Sequence, residues 1–151
     1  MMLGPHRLSQ KCRYALRAVF ELSLRGENSP VRARDIASAQ AIPLRFLEVI
    51  LADLKNAGFV ESKRGNDGGY ILARPPSNVT VGQVIRFVQG GLTKRVPDKR
   101  GGAAITGDYV FSRMWQRVST LISDVYDQTT FADLVEEELD RRRTFVLSYA
   151  I

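Results

Sequence analysis

Residues 43–74 read PLRFLEVILADLKNAGFVESKRGNDGGYILAR, and this stretch decides the fold. Pro43 suits the first turn of a helix, where its fixed φ fits and its missing N–H is not needed. Leu47, Ile50, Leu51 and Leu54 then recur at helical spacing and form an inner face, while Arg45, Glu48 and Lys55 fall opposite. Gly58 terminates that helix. Two strand-like runs follow, Phe59 to Arg64 and Tyr70 to Arg74, around Gly65-Asn66-Asp67-Gly68-Gly69. Asn-Asp-Gly-Gly is turn chemistry, and it predicts a β-hairpin.

Toward the N-terminus, a short helix from about Ala33 to Gln40 buries Ile36 and Ala37. With the helix that Pro43 opens, it makes a helix-turn-helix. Ser9 caps a first helix carrying Ala15, Ala18, Val19 and Leu22, which Gly26, Asn28 and Pro30 end. Toward the C-terminus, Pro75-Pro76 closes the unit and Thr80 caps a short helix with Val84, Ile85 and Val88. First helix, helix-turn-helix and hairpin stand in the order of a winged helix-turn-helix. Gly90, Gly91, Gly101 and Gly102, with Lys94, Arg95, Lys99 and Arg100, predict a flexible basic loop over 90–107. From Asp108 to Gln128, Phe111, Met114, Val118, Leu121 and Val125 alternate by three and four, with Trp115 and Ile122 widening the stripe. Such a seam needs a partner helix. From Thr130 a short helix carries Glu136-Glu137-Glu138 followed by Arg141-Arg142-Arg143. The expected fold is mainly α with a small β-hairpin. A winged helix-turn-helix spans 7–89, a loop 90–107, and a long dimerisation helix with a helical tail 108–151.

Composition narrows the function. The 151 residues hold 22 Lys and Arg against 16 Asp and Glu, a net charge of +6. Residues 1–76 carry 12 basic and 7 acidic side chains, and residues 77–151 carry 10 and 9. A basic N-terminal half suggests a polyanionic partner. The longest apolar runs, Val49 to Ala52 and Tyr70 to Ala73, are far too short to span a bilayer, so no membrane partner is expected. The opening MMLGPHRLSQK lacks the apolar stretch of a secretory signal. Cys12 and His6 are the only cysteine and histidine, which excludes intrachain disulfides and zinc sites built from several such ligands. Nucleophilic triads lose most of their equipment for the same reason. The expectation is a cytoplasmic, non-enzymatic protein without cofactor or metal.

The candidate chemistry lies in the basic half. Arg45, Glu48, Val49 and Ala52 face outward near the start of the third helix, the part a recognition helix inserts into the major groove. There an Arg bonds guanine O6 and N7, and a Glu accepts from cytosine N4. A carboxylate among phosphates is repelled unless a base donor meets it, so Glu48 favours sequence reading over adhesion. Taken alone, both residues also suit an ordinary solvated helix face. Lys63 and Arg64 at the hairpin edge reach toward a phosphate or the minor groove. Gly65, Gly68 and Gly69 let the backbone approach closely, and the turn needs them in either case. Ser9, Gln10, Lys11 and Arg13 offer cations and helix N-terminal N–H groups to another phosphate. Cys12, between Lys11 and Arg13, has a setting that lowers a thiol pKa, but a small inert buried residue is the favoured reading.

These residues resemble a known group. Ser9-Gln10-Lys11-Cys12-Arg13-Tyr14-Ala15-Leu16-Arg17-Ala18 is similar to the S-x-K-G-R-Y-A-L-R-A opening of the IscR, NsrR and CymR group, the Rrf-two (Rrf2) family of bacterial winged-helix regulators. The resemblance continues through Asp35-Ile36-Ala37, Ile42-Pro43-Leu44-Arg45-Phe46-Leu47-Glu48 and Leu54-Lys55-Asn56-Ala57-Gly58. Its most specific part is Ser62 to Arg74, against S-x-R-G-x-x-G-G-Y-x-L-A-R, with Thr80 to Ile85 and Met114-Trp115 extending it. It implies a homodimeric transcription factor whose helices over about 108–128 cross at the interface through Phe111, Met114, Trp115, Val118, Leu121, Ile122 and Val125. It also implies double-stranded DNA contacts from Ser9, Gln10, Lys11, Arg13, Tyr14, Pro43, Leu44, Arg45, Phe46 and Glu48, and from the wing at Lys63, Arg64, Gly65, Gly68 and Gly69. A two-fold dimer then binds a pseudo-palindromic operator.

Four departures qualify the likeness. The loop that holds three cluster-binding cysteines in many relatives has none between Gly90 and Gly107, and Ser112 stands where some place a histidine ligand. Iron–sulfur clusters require thiolates, so no cluster of that kind is expected. Cys12 and Ala41 replace common glycines. The sequence thus reads as a cluster-less, sequence-specific repressor or activator, with the repressor favoured, and a small-molecule or protein effector acting between the dimer helices and the DNA-binding half is a compatible input. The alternative is a winged-helix interaction module whose partner is a protein rather than DNA.

Overall fold

The computed structural model describes residues 8–90 and 106–150. The basic cluster Lys94 to Arg100 and His6 lie outside them, so the expected loop has no structural account here. Helix α1 (Gln10–Arg25) starts where Ser9 Oγ accepts the Cys12 N–H at 3.1 Å and stops at Gly26, φ 96°. Helix α2 (Ala33–Gln40) ends at Ala41, whose φ of 50° is the only positive value at a non-glycine residue among those described. A Cβ in that left-handed region costs about 1–2 kcal/mol. The tight turn into α3 (Leu44–Asn56) sustains it, and the Ala41 N–H donates to the Ala37 carbonyl.

Strand β1 (Val60–Lys63) pairs antiparallel with β2 (Gly69–Leu72), Val60 opposite Leu72 and Lys63 opposite Gly69. The strands are shorter than the sequence suggests. Phe59 closes α3 instead, its N–H donating to the Leu54 carbonyl at 2.9 Å. Val31 exchanges two backbone hydrogen bonds with Tyr70, at 2.9 and 2.8 Å, and so fastens the hairpin to the segment entering α2. Gly69 makes this approach possible: a Cβ there would sit 2.5 Å from the Val31 carbonyl carbon and oxygen.

A short 3-10 turn (Pro76–Asn78) leads to α4 (Val81–Gln89), which a Thr80/Gln83 capping box opens. Helix α5 (Asp108–Gln128) and helix α6 (Phe131–Tyr149) follow. The α5–α6 corner is bonded to the start of α4 on two sides. The Val81 N–H donates to the Thr129 carbonyl at 2.9 Å and the Phe131 N–H to the Val79 carbonyl at 3.0 Å. Arg86 grips Asp127 in a bidentate pair at 2.6 and 2.5 Å, over Gly82, where any Cβ would collide with that carboxylate.

Helix α6 corrects the expectation of a short C-terminal helix. It runs 19 residues, opened by a Thr130/Asp133 capping box. Its charged stretch extends the helix, because Arg141 and Arg142 bond Glu138 at 2.8 and 2.7 Å and Arg143 bonds Asp140 at 3.0 Å. Nor is α6 a mere appendage of α5, since Phe131 is fully buried in the core. That core is built on α1, whose Ala15, Ala18, Val19 and Leu22 meet Ile36, Leu47, Leu51 and Leu54 on one side and Val84, Ile85 and Phe131 on the other. The buried Glu21 carboxylate ties α1 to α2, accepting from Arg25 Nε and Gln40 Nε2, both at 2.8 Å.

Candidate nucleic-acid interface

Helix α3 buries Leu47, Ile50, Leu51 and Leu54 and leaves Arg45, Phe46, Glu48, Val49, Ala52 and Lys55 exposed, as the 3.6-residue period requires. Pro43 is exposed at the N-cap and Leu44 is half-buried against the core. Neither Arg45 nor Glu48 makes an ion pair or side-chain hydrogen bond with the described residues. Both are free to meet an outside partner.

The first turn of α1 lies beside this helix. Lys11 Nζ bonds Asp53 Oδ2 on α3 at 2.7 Å, so the Lys11 charge expected for a phosphate is already compensated. Ser9 likewise spends its groups internally: its N–H donates to Gln89 Oε1 at 2.7 Å and its hydroxyl is the cap. What the helix N-terminus still offers an anion is the N–H groups of Gln10 and Lys11 and the exposed Arg13. Tyr14 is half-buried and packs against the core. Cys12 is fully buried, and burial pushes its thiol up to about 11, the opposite of a reactive thiolate.

In the wing, Lys63, Arg64 and Gly65 are exposed, and Lys63 Nζ lies 3.6 Å from Glu61. Gly65 has φ 112° with open space around it. Gly68 and Gly69 have an internal reason for being glycine. Gly68 is buried over the Lys63 carbonyl, and Gly69 is pressed on Val31. Of the three wing glycines, only Gly65 keeps open space beside its backbone. One participant escaped the sequence reading: Arg32, before α2, donates from Nη2 to the Asn66 carbonyl and holds the wing tip. Its partner is 34 residues away, and no local pattern announces it.

The apolar stripe of α5 is bare in the single chain. Phe111, Met114, Trp115, Leu121 and Val125 are exposed, Val118 and Ile122 are half-buried, and no residue of α5 is fully buried. At its far end the Arg86 guanidinium holds the Asp127 carboxyl below the usual range, and Asp127 raises Arg86 in turn. No described helix is long and apolar enough to cross a membrane.

Comparison with known proteins gives a consistent result. The Rrf2 family model, described as an iron-dependent transcriptional regulator, matches residues 8–137. A helix-turn-helix-type transcriptional regulator of Mycobacterium tuberculosis is 33% identical over 129 residues, covering 85% of this chain and 80% of the relative. The regulator IscR of Klebsiella pneumoniae is 31% identical over 132 residues, covering 87% and 81%. Among solved structures, CymR, the global cysteine regulator of B. subtilis, superposes with a TM-score of 0.75 at 29% identity, covering 87% of this chain and 97% of that one. T. potens IscR superposes with a TM-score of 0.71 at 33% identity, covering 87% and 88%.

Proposed function

Because this chain belongs to the Rrf2 family of DNA-binding transcriptional regulators, we propose that it acts as a homodimer that reads a pseudo-palindromic operator and represses by occupying it. The observation that carries the proposal is the outward face of α3, where Arg45 and Glu48 stand uncompensated among the described residues, on the helix that Lys11 of α1 braces at Asp53 and that leads into the wing held by Arg32. Residues 7–89 form the reading unit. Arg45 meets guanine, Glu48 accepts from cytosine, Arg64 enters the minor groove, and Gln10, Lys11 and Arg13 steady a phosphate. Residues 108–128 supply the subunit face, since a lone α5 leaves seven large apolar side chains in water, five of them on the stripe. The protein works beside the chromosome, in the cytoplasm. The junction of α4 with the α5–α6 corner, where reader and subunit face meet, is the place for a small-molecule or protein effector to act.

The iron in the family's description does not fit this chain. A cluster needs several thiolates, and the sequence holds one cysteine, Cys12, fully buried with its thiol held protonated. Among the described residues no group of three or more His, Cys, Asp and Glu side chains could hold a metal ion. No step of the reading passes through iron.

Selection from a randomised duplex pool, with reduced, metal-free protein at moderate salt, tests the proposal. A two-fold symmetric site is expected, with Arg64→Ala weakening binding and Glu48→Ala relaxing the base preference more than the affinity. With 6–10 phosphate contacts, going from 50 to 200 mM salt should lower affinity roughly 10³–10⁵-fold. A second reading, docking of a protein partner, has one observation in its favour: the bare apolar end of α6 at Phe145, Val146 and Tyr149. Absence of any salt-dependent duplex binding would overturn the operator reading and bring this one to the front.

A further inference from the structure

The middle of the outward face of α3 is apolar. At 100° per residue, Arg45, Val49, Ala52 and Asn56 fall within about 60° of one another, with Glu48 on one flank and Phe46 on the other. Val49 is 58% exposed and Ala52 is exposed, so neither serves the core, which α3 meets through Leu47, Ile50, Leu51 and Leu54 with Leu44 at its edge. An exposed valine in mid-helix is also poor for the helix, because its branched Cβ loses rotamer freedom there. Folding therefore does not explain this isopropyl group.

The major groove of duplex DNA presents one apolar group, the C5-methyl of thymine. Val49 lies one turn after Arg45 and directly after Glu48, the two side chains assigned to guanine and cytosine. Phe46 is more exposed, at 64%, but it sits on the flank where Asp53 is bonded to Lys11, toward α1 and away from the centre of the face. We propose that Val49, backed by Ala52, packs on a thymine methyl, so that each half-site carries a thymine next to the bases read by Arg45 and Glu48. The inference rests on α3 being the reading helix.

Uracil has the hydrogen-bonding edges of thymine and lacks the methyl, which gives a direct test. Two randomised duplex pools, one with thymidine and one with deoxyuridine throughout, are selected with the full-length protein. The thymidine pool should yield a fixed thymine in each half-site, and the deoxyuridine pool should lose the preference at that position alone. On an isolated selected duplex, replacing that thymine in one half-site by uracil should weaken binding about four-fold, the value of one buried methyl. Val49→Ala, exposed and so without cost to the core, should bind the thymine and uracil duplexes equally. Discrimination that survives in Val49→Ala, or identical consensus sites from both pools, overturns the assignment while leaving α3 as the reader. No specific site from either pool overturns both.

Discussion

A single methyl group at position 69 should detach the wing. The Cβ of Gly69→Ala would stand 2.5 Å from the Val31 carbonyl carbon and oxygen and 2.9 Å from the Arg32 nitrogen. All three are backbone atoms, so rotating a side chain gives no relief. The segment must move, and the two hydrogen bonds between Val31 and Tyr70 go with it. At roughly 1 kcal/mol each, their loss costs about 2 kcal/mol. For a chain of this size that corresponds to a fall in Tm of about 4–8 °C. Thermal unfolding followed by circular dichroism reads the stability, and amide hydrogen exchange at Val31 and Tyr70 locates the damage. Gly65→Ala is the control: its φ of 112° strains any side chain, but nothing lies within 4 Å. It should lower Tm slightly and leave exchange at Val31 protected. If Gly69→Ala keeps both its Tm and the protection of those two amides, the account of the anchored wing is wrong.

Three further outcomes follow from the same contacts. Below pH 9 the Cys12 thiol is neutral folded and unfolded; above it the unfolded chain ionises while the buried thiol holds its proton to about 11. Stability should therefore decline across that window by on the order of 2–3 kcal/mol more in the native protein than in Cys12→Ala, measured by denaturant titration at pH 8 and 11. Leu121→Asp places a charge in the proposed subunit seam, and sedimentation at micromolar concentration should show a monomer with unchanged helix content. Asp53→Asn releases Lys11 from its 2.7 Å pair, so affinity for a selected duplex at low salt should rise about two- to five-fold, and Lys11→Ala in that background should abolish the gain.

Much of the fold was legible because its punctuation is local. Ser9, Thr80 and Thr130 bond to N–H groups three residues on, Gly26 and Gly90 stop helices by positive φ, and the period of α3 and α5 is written in their apolar residues. The outward placement of Arg45 and Glu48 followed from that period. What escaped depends on partners distant in sequence. Lys11 looked free until Asp53, 42 residues on, was brought beside it. Gly68 and Gly69 looked like turn residues open to a duplex, but their neighbours Lys63 and Val31 make them packing residues. The length of α6 was missed for another reason. Its acidic and basic runs read as surface composition, whereas at spacings of three and four they are staples along one helix.

The corner where α4 receives the α5–α6 turn has a mechanical meaning for a two-fold reader. Two backbone bonds and a bidentate ion pair leave little play between the reading unit and the helix that would join the subunits. Such a dimer is a calliper with a stiff hinge, and it measures the operator as well as reading it. Each base pair inserted between half-sites rotates one against the other by about 34° and separates them by about 3.4 Å. A joint this firm cannot absorb that screw motion, so spacing should be as strict a requirement as sequence, and loosening Arg86 from Asp127 should widen the range of spacings accepted.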